Sequence, residues 1–522
     1  MTIERNPEFL ENRPVPTLLW QFSLPAITAS LVSATYNFVA RIFVGQQIGT
    51  IGITALTVSF PVIVIFLAFA MMIGTGATTL LSIRLGERDY DRAEQILGLS
   101  LFLYVLLYIL FLFFGLCFLS PLLRFFGATE EAFPYAKSYL SVIICGTLFQ
   151  LISFGVNNFI RAEGHPHIAM FSMLISAAVN IFLDWLFLCV FKFGIWGAAL
   201  SNNIALFISS LWICWLYFSG KTVLKWRLKY FRPNFRLMRK IIIFGTVPFA
   251  MQLCSAIVQT IQNRLFGYYG EIYGQIMNFS AMGLTGENSG SNIAIGVTGT
   301  VFTISMVAVM PILGLSQGAQ PIVGYNVGAR RPDRVHQTLI QSLKIGAAIG
   351  ILFWVATIIR PDWFLRLFVR QENNIACEQI MNLGVYAVRL MFFCLPLVTI
   401  NIICSGYFQA HGRPILSLML TLLRQLLFLL PLLYVCPVLF QHLFGRQMGI
   451  IGCWFAFSAS DFCAFCVTFT FLLWEFRLKK TEIAHFHQKK KAANLPDSPD
   501  PEPQQGCRES EYRLSGSLNI KS

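Results

Sequence analysis

Apolar stretches long enough to cross a lipid bilayer recur along nearly the whole of this chain, and nothing constrains its fold more. A helix needs about 20 mostly apolar residues to cross about 30 Å of hydrocarbon. Twelve such spans can be read, near 17–44, 52–83, 96–119, 135–160, 168–191, 196–218, 241–267, 292–325, 338–360, 380–408, 415–440 and 450–474. Inside a bilayer every backbone polar group must be paired within the protein, so only helices or closed barrels cross. Barrel strands alternate apolar and polar residues, and these spans are continuously apolar. The expected fold class is therefore an all-α membrane protein. Charge agrees: 12% of residues are charged, against about 25% in soluble domains.

A short passage occurs twice. Residues 76–92 read Gly76-Ala77, eight residues, then Gly86-x-Arg88-x-x-Asp91-Arg92. Residues 318–334 read Gly318-Ala319, eight residues, then Gly328-x-Arg330-x-x-Asp333-Arg334. Each copy ends one span and leads into the next, so each is a basic turn between helices. Other landmarks recur in the same order. Phe22-x-x-Pro25 is echoed by Phe244-x-x-x-Pro248, Ala162-Glu163-Gly164-His165-Pro166 by Ala410-His411-Gly412-Arg413-Pro414, and Gly194-Ile195-Trp196-Gly197 by Gly449-Ile450-Ile451-Gly452. Six spans precede the basic break at 219–240 and six follow, which implies parallel repeats, a plan used by transporters. The expected division is an N-terminal segment 1–16, a first lobe 17–218, a linker 219–240, a second lobe 241–474 and a disordered tail 475–522. Residues 268–291, with five glycines, are expected to form a long outward loop.

The formal net charge of +14 is distributed by side. One set of loops carries Arg84, Arg88, Arg92 and Arg161, eight Lys or Arg between Lys221 and Lys240, then Arg330, Arg331, Arg334 and Arg413. The other side carries Arg124, Lys192, Arg366, Arg370 and Arg446. The positive-inside rule puts the richer side and both termini in the cytoplasm, in a plasma membrane. The basic excess thus reads as topology and contact with anionic lipid, and no nucleic-acid partner is expected. The 13 cysteines lie mostly singly in apolar spans, where they act as small hydrophobes, and no disulfide is expected. His485 and His487 are too sparse for a metal site. No Walker A, His-Glu-x-x-His or Gly-x-Ser-x-Gly motif stands in a usable context, so neither an enzyme nor an ATP-driven pump is expected.

An ionisable residue within a span costs about 2.5–3.5 kcal/mol on insertion scales and needs a reason. Arg41, Asp184, Arg264, Arg389, Arg424 and Asp461 are the candidates. Asn180 precedes Asp184 by four residues, which puts both side chains on one helix face. A carboxylate with an amide carbonyl is an oxygen-rich pair suited to Na⁺, and a poorly solvated carboxyl can instead carry a proton. The competing reading of Asp184 is an interhelical hydrogen bond with no transport role. Arg424 and Asp461 are expected to form a structural ion pair. Arg389 has no partner evident in sequence and is a candidate wall residue of a wet cavity.

At these residues the chain resembles the multidrug and toxic compound extrusion (MATE) family, in its MepA-like branch, across residues 15–475. The run Gly314-Leu315-Ser316-Gln317-Gly318-Ala319-Gln320-Pro321 and onward to Gly328-Ala329 carries the resemblance most specifically, with Arg161-Ala162-Glu163-Gly164-His165-Pro166 and Arg424-Gln425. The resemblance implies twelve helices in two six-helix lobes and secondary active export of organic cations and amphipathic drugs against H⁺ or Na⁺, by alternating access. It implies ion-coupling roles for Asp184, Asn180 and Asn202, the last at a position usually held by threonine. Tyr36, Asn37 and Asn157 become candidate cavity residues. Ala40 stands where the family's first-helix motif normally has an aspartate, so one acid of the ion site is missing. No cofactor is expected beyond the coupling ion, and the chain is expected to act as a monomer. Two alternatives remain open: a lipid-linked oligosaccharide flippase of the same superfamily, and a non-transporting receptor or scaffold.

Overall fold

The computed structural model describes residues 9–48, 50–126, 131–220, 222–279, 290–366 and 375–493. Helices dominate them, and no strand forms among the described residues. A single turn, α1 (Phe9–Asn12), leads into α2 (Val15–Ile48), α3 (Thr50–Gly86), α4 (Tyr90–Cys117), the short α5 (Leu119–Phe125), α6 (Phe133–Ala162), α7 (Pro166–Asp184) and α8 (Ile195–Phe218). The second set is α9 (Phe235–Ile276), α10 (Gly290–Gly328), α11 (Pro332–Ile359), the short α12 (Pro361–Arg366), α13 (Ile375–Phe392), α14 (Leu395–Ala410), α15 (Pro414–Leu422), α16 (Leu430–Phe444) and α17 (Gly449–Ala493). Among the described residues eleven helices are long and apolar enough to cross a membrane, and α13 with α14, bent by 45°, makes up to twelve spans.

Two expectations are corrected. Residues 268–276 are not loop: α9 runs on to Ile276, and α10 starts at Gly290. The glycines there serve helix packing, since a Cβ on Gly274 would lie 2.7 Å from the Gly290 Cα. Small residues let two backbones approach, which offsets their poor helix propensity. Residues 280–289 lie outside the described residues. The polar tail is also shorter than expected, because α17 continues through Ala493 on a run rich in helix-forming Lys, Ala, Glu and Gln. Residues 494–522 lie outside the described residues.

The α2–α8 set and the α9–α17 set form two lobes, and among the described residues their cores are joined at one end only. One cluster unites Leu18, Phe22, Leu81 and Phe159 of the first lobe with Ile322, Tyr325, Leu339 and Phe408 of the second. Away from it the cores separate. Leu123, Ala136, Leu140 and Ala199 form one cluster within the first lobe, and Phe266, Ile293, Val388 and Trp454 another within the second. The shared core lies at the end carrying both repeated turns, hereafter the turn end. The inter-lobe packing is made mainly by α3 with α9, α2 with α10, and α3 with α10.

Candidate ion and cargo site

Asp184 closes α7, roughly 27 Å along the helix from its start at the turn end. It therefore sits toward the end where the two cores have parted. Asn180 and Asp184 are both buried, on the same face of α7 one turn apart. Immediately after Asp184 the helix widens into a π turn, Trp185–Val190. Such single-turn bulges often mark functional sites, because the extra residue re-aims the side chains around it. The second lobe repeats the device at Leu423–Leu429, a π turn that contains Arg424.

One carboxylate oxygen of Asp184, Oδ1, accepts a short hydrogen bond from the Ser201 hydroxyl on α8. The other, Oδ2, and Oδ1 of Asn180 are buried with no hydrogen-bond partner among the described residues. Two buried acceptor oxygens on adjacent turns with no donor facing them are what a bound cation, or a proton on the carboxyl, would satisfy. Tyr139 of α6 stands within electrostatic range of Asp184, Tyr36 and Arg41, so four helices bring polar groups to this region. Arg41 is exposed, its guanidinium 5.6 Å from the Phe60 ring centre.

The sequence-derived candidates fall in several places. Asp184 and Asn180 come together as the helix period requires. Asn202 is half-buried, and it is Ser201, one residue earlier, that bonds Asp184. Tyr36 is half-buried beside the site, while the side chain of Asn37 lies outside the described residues. Asn157 is buried inside the first lobe, where its Oδ1 accepts from Ser172 at 3.2 Å. Arg389 is exposed on α13. In the second lobe Arg424 Nε donates to Asp461 Oδ1 at 2.7 Å, and Gln425 Nε2 donates to Ser255 Oγ at 3.2 Å. Sequence reasoning missed Ser201 and Tyr139. It also missed Arg161, whose Nη1 reaches across the lobes to Gln317 Oε1 at 2.9 Å. The Arg161 and Gln317 positions lie within motifs already noted, so the signal was present without a partner assigned to it.

The sequence model of the MatE family matches residues 25–186 and 271–435, one segment in each lobe. This chain belongs to the MatE family. The chain is 25% identical over 460 residues to the multidrug export protein MepA of Staphylococcus aureus (strain MSSA476), covering 87% of this chain and 93% of that one. It is 25% identical over 462 residues to MepA of Staphylococcus haemolyticus (strain JCSC1435), covering 88% and 94%. Among solved structures it resembles the outward-facing conformation of a multidrug resistance MATE family transporter of the MOP superfamily, with a TM-score of 0.80 at 23% identity, over 90% of this chain and 98% of that chain. A MOP superfamily transporter from Pyrococcus furiosus Vc1 (DSM3638), described as having a binding pocket of reversed polarity, matches with a TM-score of 0.79 at 24% identity, over 91% and 98%. The MatE chain thus has the family's two-lobe, all-helical fold.

Proposed function

We propose that this chain is a secondary active multidrug exporter of the plasma membrane, moving amphipathic or cationic compounds outward in exchange for H⁺ or Na⁺. The turn end, with its basic loops and both termini, faces the cytoplasm in this reading. The observation that carries the coupling role is the pair of buried, unpartnered oxygens on Asn180 and Asp184. Ion occupancy there favours one lobe arrangement and cargo favours the other, and exchange follows from that difference in affinity. Asp184 works without a neighbouring acid, since Ala40 removes it, and Ser201 supplies the remaining polar contact. The site carries one carboxylate and one exposed guanidinium, Arg41, so the cargo panel should include amphipathic anions as well as cations.

The test is dye efflux from proteoliposomes under separate proton and sodium gradients, comparing wild type with Asp184→Asn. The variant is expected to lose at least tenfold in rate under whichever gradient drives the wild type, a loss of about 1.4 kcal/mol or more. Wild-type rates in the variant under both gradients would remove Asp184 from the coupling site.

A further inference from the structure

The repeated turn that organises the sequence has no part in the ion site, yet its two copies are placed alike. In each, an arginine just past the glycine takes the left-handed conformation, Arg88 with φ 60° and Arg330 with φ 54°, so both turns have the same backbone shape. An entry segment docks at each, but different residues hold it. Arg92, the counterpart of Arg334, pairs with Asp89 inside its own turn, and the first grip is made by Asp91 and by Glu94, two residues past the repeated passage. The segment leading into α9, the first helix of the second lobe, lies on the first copy. There Glu94 Oε1 accepts the Lys225 amide at 3.3 Å, Arg227 Nε stands 2.7 Å from Glu94 Oε2, and the Tyr230 hydroxyl donates to Asp91 Oδ1 at 3.1 Å. The segment leading into α2, the first helix of the first lobe, lies on the second copy. There the Arg334 guanidinium donates to the Leu10 carbonyl at 3.0 Å and to the Arg13 carbonyl at 2.5 Å. Asn326 Nδ2 reaches the Leu10 carbonyl at 3.4 Å, and Arg331 pairs with Glu11 at 3.2 Å.

The glycines of the motif make the same crossing. A Cβ on Gly86 would lie 2.9 Å from the Ala329 amide nitrogen, and one on Gly328 would lie 2.9 Å from that of Glu87. A Cβ on Gly76 would meet the Gly245 nitrogen at 2.8 Å, and one on Gly318 the Ser23 nitrogen at 2.8 Å. Every one of these neighbours belongs to the other lobe. Each of the four motif glycines on α3 and α10 therefore lets a backbone of the other lobe come closer than a Cβ would allow.

We propose that the twice-occurring turn is a reciprocal clasp: each copy holds the entry segment of the opposite lobe, and together they shut the turn end in this lobe arrangement. Arg334 and Glu94 are its positioning residues, and the motif glycines are what let the lobes close. Opening the turn end requires both grips to break, because each lobe is held by the other's entry segment. The clasp bears on lobe arrangement alone, whatever the cargo or ion.

Hydrogen–deuterium exchange followed by mass spectrometry on the purified full chain reads both copies at once. Arg334→Gln removes the bonds to the Leu10 and Arg13 carbonyls. Exchange is expected to quicken at least tenfold in residues 9–16 and, across the lobe boundary, in 83–92, with α6–α8 unchanged. Glu94→Gln is expected to quicken residues 222–234 and, on the other lobe, 326–334 at least threefold. Faster exchange confined to the substituted copy and the segment it touches overturns the proposal, as does no change at all. If Arg334→Gln quickens exchange throughout, the chain has lost its fold, and the partly exposed Arg331→Gln then decides by the same cross-lobe criterion.

Discussion

Glu163 shows how a single side chain at the turn end can be tied to pH. It is fully buried after α6, where it accepts from the Tyr217 hydroxyl at 2.6 Å and from the Val223 and Leu224 amides at 2.9 and 3.4 Å. Burial pushes its carboxyl up from 4.5 to about 7, against the lowering effect of those three donors. The folded chain thus keeps this proton to higher pH than the unfolded chain does. The resulting stabilisation is fully present below about pH 4.5 and is lost as pH rises through about 7. Glu163→Gln should flatten that part of the melting profile, removing a wild-type decline on the order of 1–3 kcal/mol. Parallel Tm curves for the two proteins between pH 4.5 and 7.5 would show that another group titrates there. The buried site of Asp184 makes a contrast in legibility. Its i, i+4 relation to Asn180 is a property of one helix and could be read from the sequence. Its bond to Ser201 joins two helices, and no local pattern distinguished Ser201 from Asn202.

At the scale of elements, the long helices were legible because an unbroken apolar run has one meaning in a bilayer, while their ends and contacts were not. The glycines near 270 suggest a loop when read singly, and become a helix crossing only once Gly274 is seen against Gly290. The same holds at the α3–α9 crossing, where a Cβ on Gly245 would lie 2.9 Å from the Met72 Cα. A side chain at that position would have to push two backbones apart, and overpacking of this kind costs about 1–3 kcal/mol. Gly245→Leu is accordingly expected to lower Tm by several degrees in a detergent melt. An unchanged Tm would mean that the two helices do not approach so closely. The linker expected over 219–240 is shorter at its far end: Asn234 caps α9 by accepting from the Leu237 amide at 3.2 Å, so residues 235–240 are helical.

For the whole molecule, a core shared at one end and divided at the other is the arrangement that an exchange mechanism needs, since occupancy at the divided end can bias how the lobes meet. Ligand binding to the folded state alone stabilises it by about 2.7 kcal/mol at a hundredfold excess over Kd. If the coupling ion is Na⁺, added Na⁺ should raise the Tm of wild type and leave Asp184→Asn unmoved at the same ionic strength with K⁺. If it is H⁺, the difference between the two proteins should appear with pH and not with Na⁺. Equal responses of both proteins to Na⁺ and to pH would separate the ion effect from Asp184 altogether.

By itself the sequence determined the class of fold, the two-lobe repeat and the helix face that pairs Asn180 with Asp184. Each follows from constraints that act along the chain: the cost of unpaired backbone in hydrocarbon, the recurrence of motifs, and the helical period. The tertiary structure decided which hydroxyl bonds one oxygen of the acid, where the two cores join and part, and what the repeated turn holds. Those depend on which helices cross and how closely, and residues such as Arg334 and Leu10, more than three hundred positions apart, meet only when the lobes have packed.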